Sequence, residues 1–165
     1  MHLQIERAPS GRHKSATQNC RGVKTDDRLT MLFDGVERRG AFAAFLQETW
    51  RVGEEALEQQ GCCFLGLGPD KQEGRGSLGL GIVLGRLAYQ AWRHSGAVVH
   101  RDLGSNRVMA VRLEVQEQRS ARGIFLLNGY APVSSASAEE WHEYYDALSR
   151  GLARMRRGDL LIAGA

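Results

Sequence analysis

Apolar residues fall along this chain in short runs divided by polar, Gly-marked breaks, and the period of each run names its element. From Thr25, the residues Leu29, Leu32, Phe33 and Val36 recur at helical spacing. Asp26 and Asp27 suit the positive N-terminal end, and Arg38, Arg39 and Gly40 supply basic last-turn residues and a stop, so a helix is predicted there. The next run, Ala41-Phe42-Ala43-Ala44-Phe45-Leu46, is short, apolar on every position and bounded by Gly40 and Gly53. It reads as a buried strand that ends in Gln47 and Glu48. An acid at that place stands at a sheet's rim.

Downstream of Glu48 a polar stretch through Gln60 predicts a loop or a short helix. Strand-like segments then follow at short spacing: 62–67, 78–84, 97–100, 107–115 and 123–130. Within 107–115 the later positions alternate apolar with polar, as in a strand with one wet face. With no helix predicted between them, these strands pair largely antiparallel. Ser137 and Glu140 have capping-box spacing, and Trp141, Tyr144, Tyr145, Leu148, Leu152 and Met155 form one apolar stripe, so a second helix runs to Gly158. A strand, Asp159 to Ala165, follows it. The order of elements predicts a two-sheet core with helices outside.

Length and composition change this picture little. The chain has 165 residues, 42% of them hydrophobic, which suits one domain with one core. Residues 1–13 are polar and aperiodic and are read as a disordered leader, with the fold starting at Lys14. A net charge of +3 and a pI near 9.0 permit a polyanionic partner without requiring one. Cys20 stands alone and Cys62 is adjacent to Cys63, which gives neither a disulfide framework nor zinc spacing. Buried thiols of a reducing, intracellular compartment are expected, the nucleus included. No apolar run is long enough to cross a membrane.

Several motifs can be set aside. Gly74 to Gly79 satisfies Gly-x-Gly-x-x-Gly, but an apolar strand follows where a dinucleotide site needs a helix. The five histidines include no i, i+4 pair, and His142 lies among acids on an exposed helix face, where ion pairing is its expected role. No Gly-x-Ser-x-Gly elbow marks a nucleophile.

Three polar residues remain, each closing a strand-like run: Asn19 after Lys14 to Gln18, Glu48 after Ala41 to Gln47, and Tyr130 after Ile124 to Gly129. Taken singly, each has an ordinary reading in capping or turn chemistry. Taken together on neighbouring strands, they line one rim, where carboxylate and amide oxygens suit a hard divalent cation and a phenol donates to a phosphate oxygen.

These segments occur in the same order in the endonuclease/exonuclease/phosphatase superfamily, and the chain looks most like the endonuclease domain of LINE-type retrotransposons. The resemblance rests on 17–25, on Leu46-Gln47-Glu48-Thr49-Trp50, on 80–84, on Asn128-Gly129-Tyr130-Ala131-Pro132-Val133-Ser134, and on 159–164. It implies a four-layered α-β-β-α sandwich of two mixed, largely antiparallel sheets, and Mg²⁺- or Mn²⁺-dependent hydrolysis of a phosphodiester, with DNA as partner. By the same resemblance Glu48 holds the metal, Asn19 positions metal or phosphate, and Tyr130 supports the scissile phosphate. The family pattern continues with Asp-x-Asn and Ser-Asp-His, and the present sequence stops at Ala165 before both. The expectation is therefore a domain over 14–165 that is incomplete at its C-terminus, with weak metal binding and impaired activity. The alternative is a non-catalytic remnant or nucleic-acid-binding module.

Overall fold

The computed structural model describes residues 4–7, 14–71, 78–95, 98–117 and 120–165. The chain forms two facing sheets flanked by helices. The larger sheet has six strands: β1 (Gln4–Arg7), β2 (Lys14–Asn19), β3 (Ala43–Gln47), β4 (Glu54–Gln59), β5 (Cys62–Leu67) and β6 (Leu80–Leu84). Their spatial order is β1-β2-β3-β6-β5-β4, with β2 and β3 parallel and the other neighbours antiparallel. The smaller sheet is built from β7 (Val98–His100), β8 (Val108–Glu117), β9 (Ser120–Gly129) and β10 (Leu160–Gly164), in the order β10-β9-β8-β7. Only its β9–β10 pair is parallel.

Alternation of side chains assigns each strand residue to one of three apolar layers. Phe45, Leu65, Ile82 and Leu84 of the larger sheet face Met109, Val111, Leu126 and Ile162 of the smaller one and form the central layer. On the outer side of the larger sheet Ala44, Leu46, Phe64 and Val83 pack against Leu29, Leu32, Phe33 and Val36 of α1 (Asp26–Arg38). Val108, Ala110, Phe125 and Leu127 meet Tyr144 and Ala147 of α3 (Ala138–Ala153) on the other outer side. A third helix, α2 (Arg86–Ser95), adds Ala88 and Ala91 to the central layer. The result is the α-β-β-α sandwich that the sequence led us to expect.

Several local expectations hold closely. The α1 helix has its buried face on the predicted residues and ends beside Gly40, which adopts φ +57. At α3, Ser137 accepts from the Glu140 N–H and the Glu140 side chain accepts from the Ser137 N–H, each at 3.2 Å, completing the capping box. His142 is exposed and lies 3.5 Å from Asp146.

Other expectations fail. The polar stretch after Glu48 is neither loop nor helix: Glu54–Gln59 is the edge strand β4, joined to β5 through Gln60 and Gly61, both left-handed at φ +54 and +77. An edge strand with one wet side needs little apolar surface, which is why the stretch carried no strand signal. The α2 helix was not foreseen. The apolar stripe of α3 is narrower than predicted, because Tyr144, Ala147 and Gly151 are buried while Tyr145 and Leu152 remain exposed. Within the stretch read as leader, Gln4–Arg7 pairs as β1 with β2, while 1–3 and 8–13 lie outside the described residues. Most of the Gly-rich motif, 74–77 of its 74–79, lies outside them too, and Gly79 leads directly into β6.

Candidate active site

β2 and β3 run parallel and end together, so Asn19 and Gln47 sit side by side at the same rim. The pairing continues past both strand ends: the Cys20, Gly22 and Val23 N–H groups donate to the Gln47, Glu48 and Thr49 carbonyls, each at 2.8 Å. On the other side, the Thr49 and Trp50 N–H groups donate to Gly79 and Leu78. Held from both flanks, the backbone turns sharply and adopts φ +54 at Glu48 and +58 at Trp50, with +43 at the facing Arg21. Non-glycine residues in this region carry a cost of about 1–3 kcal/mol each and cluster at functional sites. The half-buried Glu48 is thereby fixed in place.

Tyr130 arrives from the smaller sheet. It follows β9, and its N–H donates to the Arg107 carbonyl at 2.9 Å. Its hydroxyl donates to Glu48 Oε1 at 2.6 Å, and Asn19 Nδ2 donates to the same oxygen at 2.7 Å. Two residues from two other strand ends, one on each sheet, thus converge on a single oxygen of Glu48. The Asn19 Oδ1 accepts from the Arg21 N–H at 3.2 Å, which leaves the NH₂ facing Glu48, as an anion that can only accept requires.

Burial, and after it the hydrogen bond and charge of Glu48, raises the Tyr130 phenol above its ordinary value, against a smaller opposing effect of Arg107. The phenol therefore stays a donor at neutral pH. The Arg107 guanidinium lies 5.6 Å from the Tyr130 ring centre and 3.7 Å from Glu140. Cys20, buried beside Glu48, is pushed up to about 12, first by burial and then by the carboxylate's charge. That thiol is inert. Lys24 Nζ lies 5.6 Å from the Trp50 ring on the α1 side of the rim.

Beneath this group lies a pair that strand-end reasoning missed. Gln47 and Asn128 are buried, and the Gln47 Nε2 donates to the Asn128 Oδ1 at 2.9 Å across the two sheets. Parity alone marks them: Gln47 lies on the inward face shared with Phe45, and Asn128 on the face shared with Leu126. A polar residue continuing an inward apolar series is the signal that was available.

Mg²⁺ takes oxygen ligands and keeps several waters, so one or two carboxylates plus substrate phosphate suffice to hold it. At the rim, Glu48 offers one such carboxylate, whose second oxygen stands outside the hydrogen bonds from Asn19 and Tyr130. Among the described residues, no group of three or more His, Cys, Asp or Glu side chains is placed to hold a metal.

No protein-family model matches the chain, and no curated protein does. Among solved structures it is similar to the human Nocturnin catalytic domain, solved with a bound sulfate anion, at 13% identity and a TM-score of 0.55. The match covers 99% of this chain and 66% of that one, so the chain spans just under two thirds of the domain it resembles. At this identity the likeness shows a shared fold alone.

Proposed function

We propose that the rim around Glu48 is a metal-dependent phosphodiester hydrolase site of endonuclease type, with DNA as substrate and a retroelement endonuclease as its lineage. The observation that carries this reading is the convergence of Asn19 and Tyr130 on one oxygen of a carboxylate held at a left-handed backbone position. The fold shared with a catalytic domain supports it at the level of architecture. The Gln-Glu-Thr and Tyr-Ala-Pro wording supports the retroelement branch through the resemblance alone.

In this reading Glu48 holds Mg²⁺ or Mn²⁺, and the bound ion supplies neutralisation of charge that grows on a phosphoryl oxygen. Asn19 orients the carboxylate through its NH₂. A ligand role for its oxygen requires the amide to turn and give up the Arg21 N–H. Tyr130, kept protonated, exchanges its hydrogen bond from Glu48 to a phosphate oxygen when substrate enters. The exposed Arg21 beside Asn19, with Lys24 near Trp50, gives the rim a basic flank for a nucleic-acid backbone. An intracellular, nuclear location follows from a DNA partner.

One observation favours the alternative of a non-catalytic nucleic-acid-binding module: no His or further acid gathers with Glu48 into a metal cluster among the described residues. Incubating the protein with supercoiled and abasic-site DNA and Mg²⁺ separates the two. Nicking that Glu48→Ala abolishes supports the hydrolase. DNA retention with no nicking at any Mg²⁺ or Mn²⁺ concentration overturns it in favour of the binding module.

A further inference from the structure

Between the apolar middle of the sandwich and its rim lies a connected set of buried amides whose bonds cross from one sheet to the other. The Gln47 Nε2 donates to Asn128 Oδ1 at 2.9 Å and to Thr17 Oγ1 at 3.5 Å. The Asn128 Nδ2 donates in turn to the Leu46 carbonyl at 3.0 Å and the Gly81 carbonyl at 2.8 Å. Thr17 Oγ1 donates to the Ala165 carbonyl at 3.2 Å. Asn128 is 0% exposed and Gln47 3% exposed, so water does not substitute for these partners. The set ties β2, β3 and β6 of the larger sheet to β9 of the smaller one, and through Thr17 to the residue that follows β10.

Its position in sequence matters as much as its chemistry. Gln47 directly precedes Glu48, and Asn128 stands two residues before Tyr130. Each member of the bridging pair is therefore anchored within two residues of one half of the candidate site. Apolar burial is non-directional, whereas a buried amide whose two N–H groups are both engaged is satisfied in one arrangement only. A shift of about 1 Å between the sheets takes such bonds beyond hydrogen-bond range. The same shift would part the Tyr130 hydroxyl from Glu48.

We propose that Gln47 and Asn128 are positioning residues, an amide clamp that fixes the spacing and register of the two sheets at the rim and so holds the Tyr130 hydroxyl on Glu48. The clamp rests on Glu48 and Tyr130 forming one site, but it does not depend on what that site cleaves. Gly164 is consistent with a rim closed to a set distance, since a side chain there would meet the Phe45 ring at 2.2 Å.

NMR of the full chain labelled at the tyrosine ζ carbon tests this, because each of the four tyrosines gives one resonance and Tyr130→Phe assigns the relevant one. Glu48→Ala defines the resonance position of a Tyr130 hydroxyl without its acceptor. In Asn128→Leu the Tyr130 resonance is expected to move at least half of the way to that position. In Gln47→Leu, which keeps the Asn128 bonds to Leu46 and Gly81 and so folds even if Asn128→Leu does not, it moves in the same direction by less. Leu65→Ala, which opens a cavity in the central apolar layer, is the control: it lowers Tm by as much or more and leaves the resonance in place. An unmoved Tyr130 resonance in Gln47→Leu and Asn128→Leu overturns the clamp, as does an equal displacement in Leu65→Ala. A chain that shows the expected displacement yet never nicks DNA refutes the hydrolase reading and leaves the clamp standing.

Discussion

The interface between the two sheets has two regions built on opposite principles. Its middle is aliphatic and aromatic: Phe45, Leu65 and Ile82 meet Met109, Val111 and Leu126, all essentially inaccessible to solvent. One strand step towards the rim, the same inward series changes to Gln47 and Asn128, and a step beyond the strand ends it reaches Glu48 and Tyr130. Packing in the middle supplies stability through area removed from water, which is indifferent to direction. Hydrogen bonding at the rim supplies geometry, which is not. The contrast sets the candidate site where the chain stops optimising burial, and it explains how such a site can be assembled from three strand ends on two separate sheets.

The largest expected effect that sharpens this contrast lies in the middle. Phe45→Ala should lower unfolding free energy by about 3–5 kcal/mol in chemical denaturation, as expected for emptying a buried aromatic site. Next comes Asn128→Leu, with a loss of about 1–3 kcal/mol from the stranded partners of its amide, measured in the same way. If Asn128→Leu cost as much as Phe45→Ala, the rim would be a stability element and the division between regions would fail.

Acid titration gives a smaller effect at a third place. Burial pushes the Asp159 carboxyl up, but hydrogen bonds from Arg112 and the Arg156 N–H, with the charges of both arginines, outweigh it and hold the group below its ordinary value. Arg112 grips both oxygens, at 2.9 and 2.8 Å, and so fastens the start of β10 to β8 across β9. Because the folded value is lowered, this contribution is complete above the ordinary carboxylate value of about 4 and is lost as pH falls through the folded value. The fall in Tm between about pH 5 and 2 should therefore be shallower in Asp159→Asn than in the wild type.

The smallest effect is at the rim itself. Tyr130 is raised by burial first and by Glu48 second, so Glu48→Ala should lower its ultraviolet titration midpoint only part of the way to the free phenol value. The sign follows from the raised value: the contribution is present below about pH 10 and is lost as pH rises through the folded value. A midpoint unchanged by Glu48→Ala would mean that the 2.6 Å contact carries no weight.

Much of the sandwich was legible because its elements announce themselves locally. The α1 stripe with its Gly stop, the Ser137–Glu140 capping box and the unbroken apolar run of β3 each needed only neighbours in sequence. The three rim residues were legible because they close strands. What stayed hidden depended on distant partners or on weak local signal. β4 is polar because it is an edge, and α2 fully buries only the small Ala88 and Ala91, with Tyr89 and Trp92 partly buried beside them and no predicted cap. Tyr145 and Leu152 share the helical period of α3, but the sheet beneath reaches only as far as Tyr144, Ala147 and Gly151. The Gln47–Asn128 bond joins residues 81 apart, and no local pattern specifies such a pairing.

The most direct measurement of the central claim is a calorimetric titration of the full chain with Mn²⁺, wild type beside Glu48→Ala. The account predicts one site in the wild type and at least a tenfold weaker association in Glu48→Ala, with Tm changed little. Equal affinity in the two proteins would contradict it, because the ion would then be held somewhere other than the carboxylate on which Asn19 and Tyr130 converge.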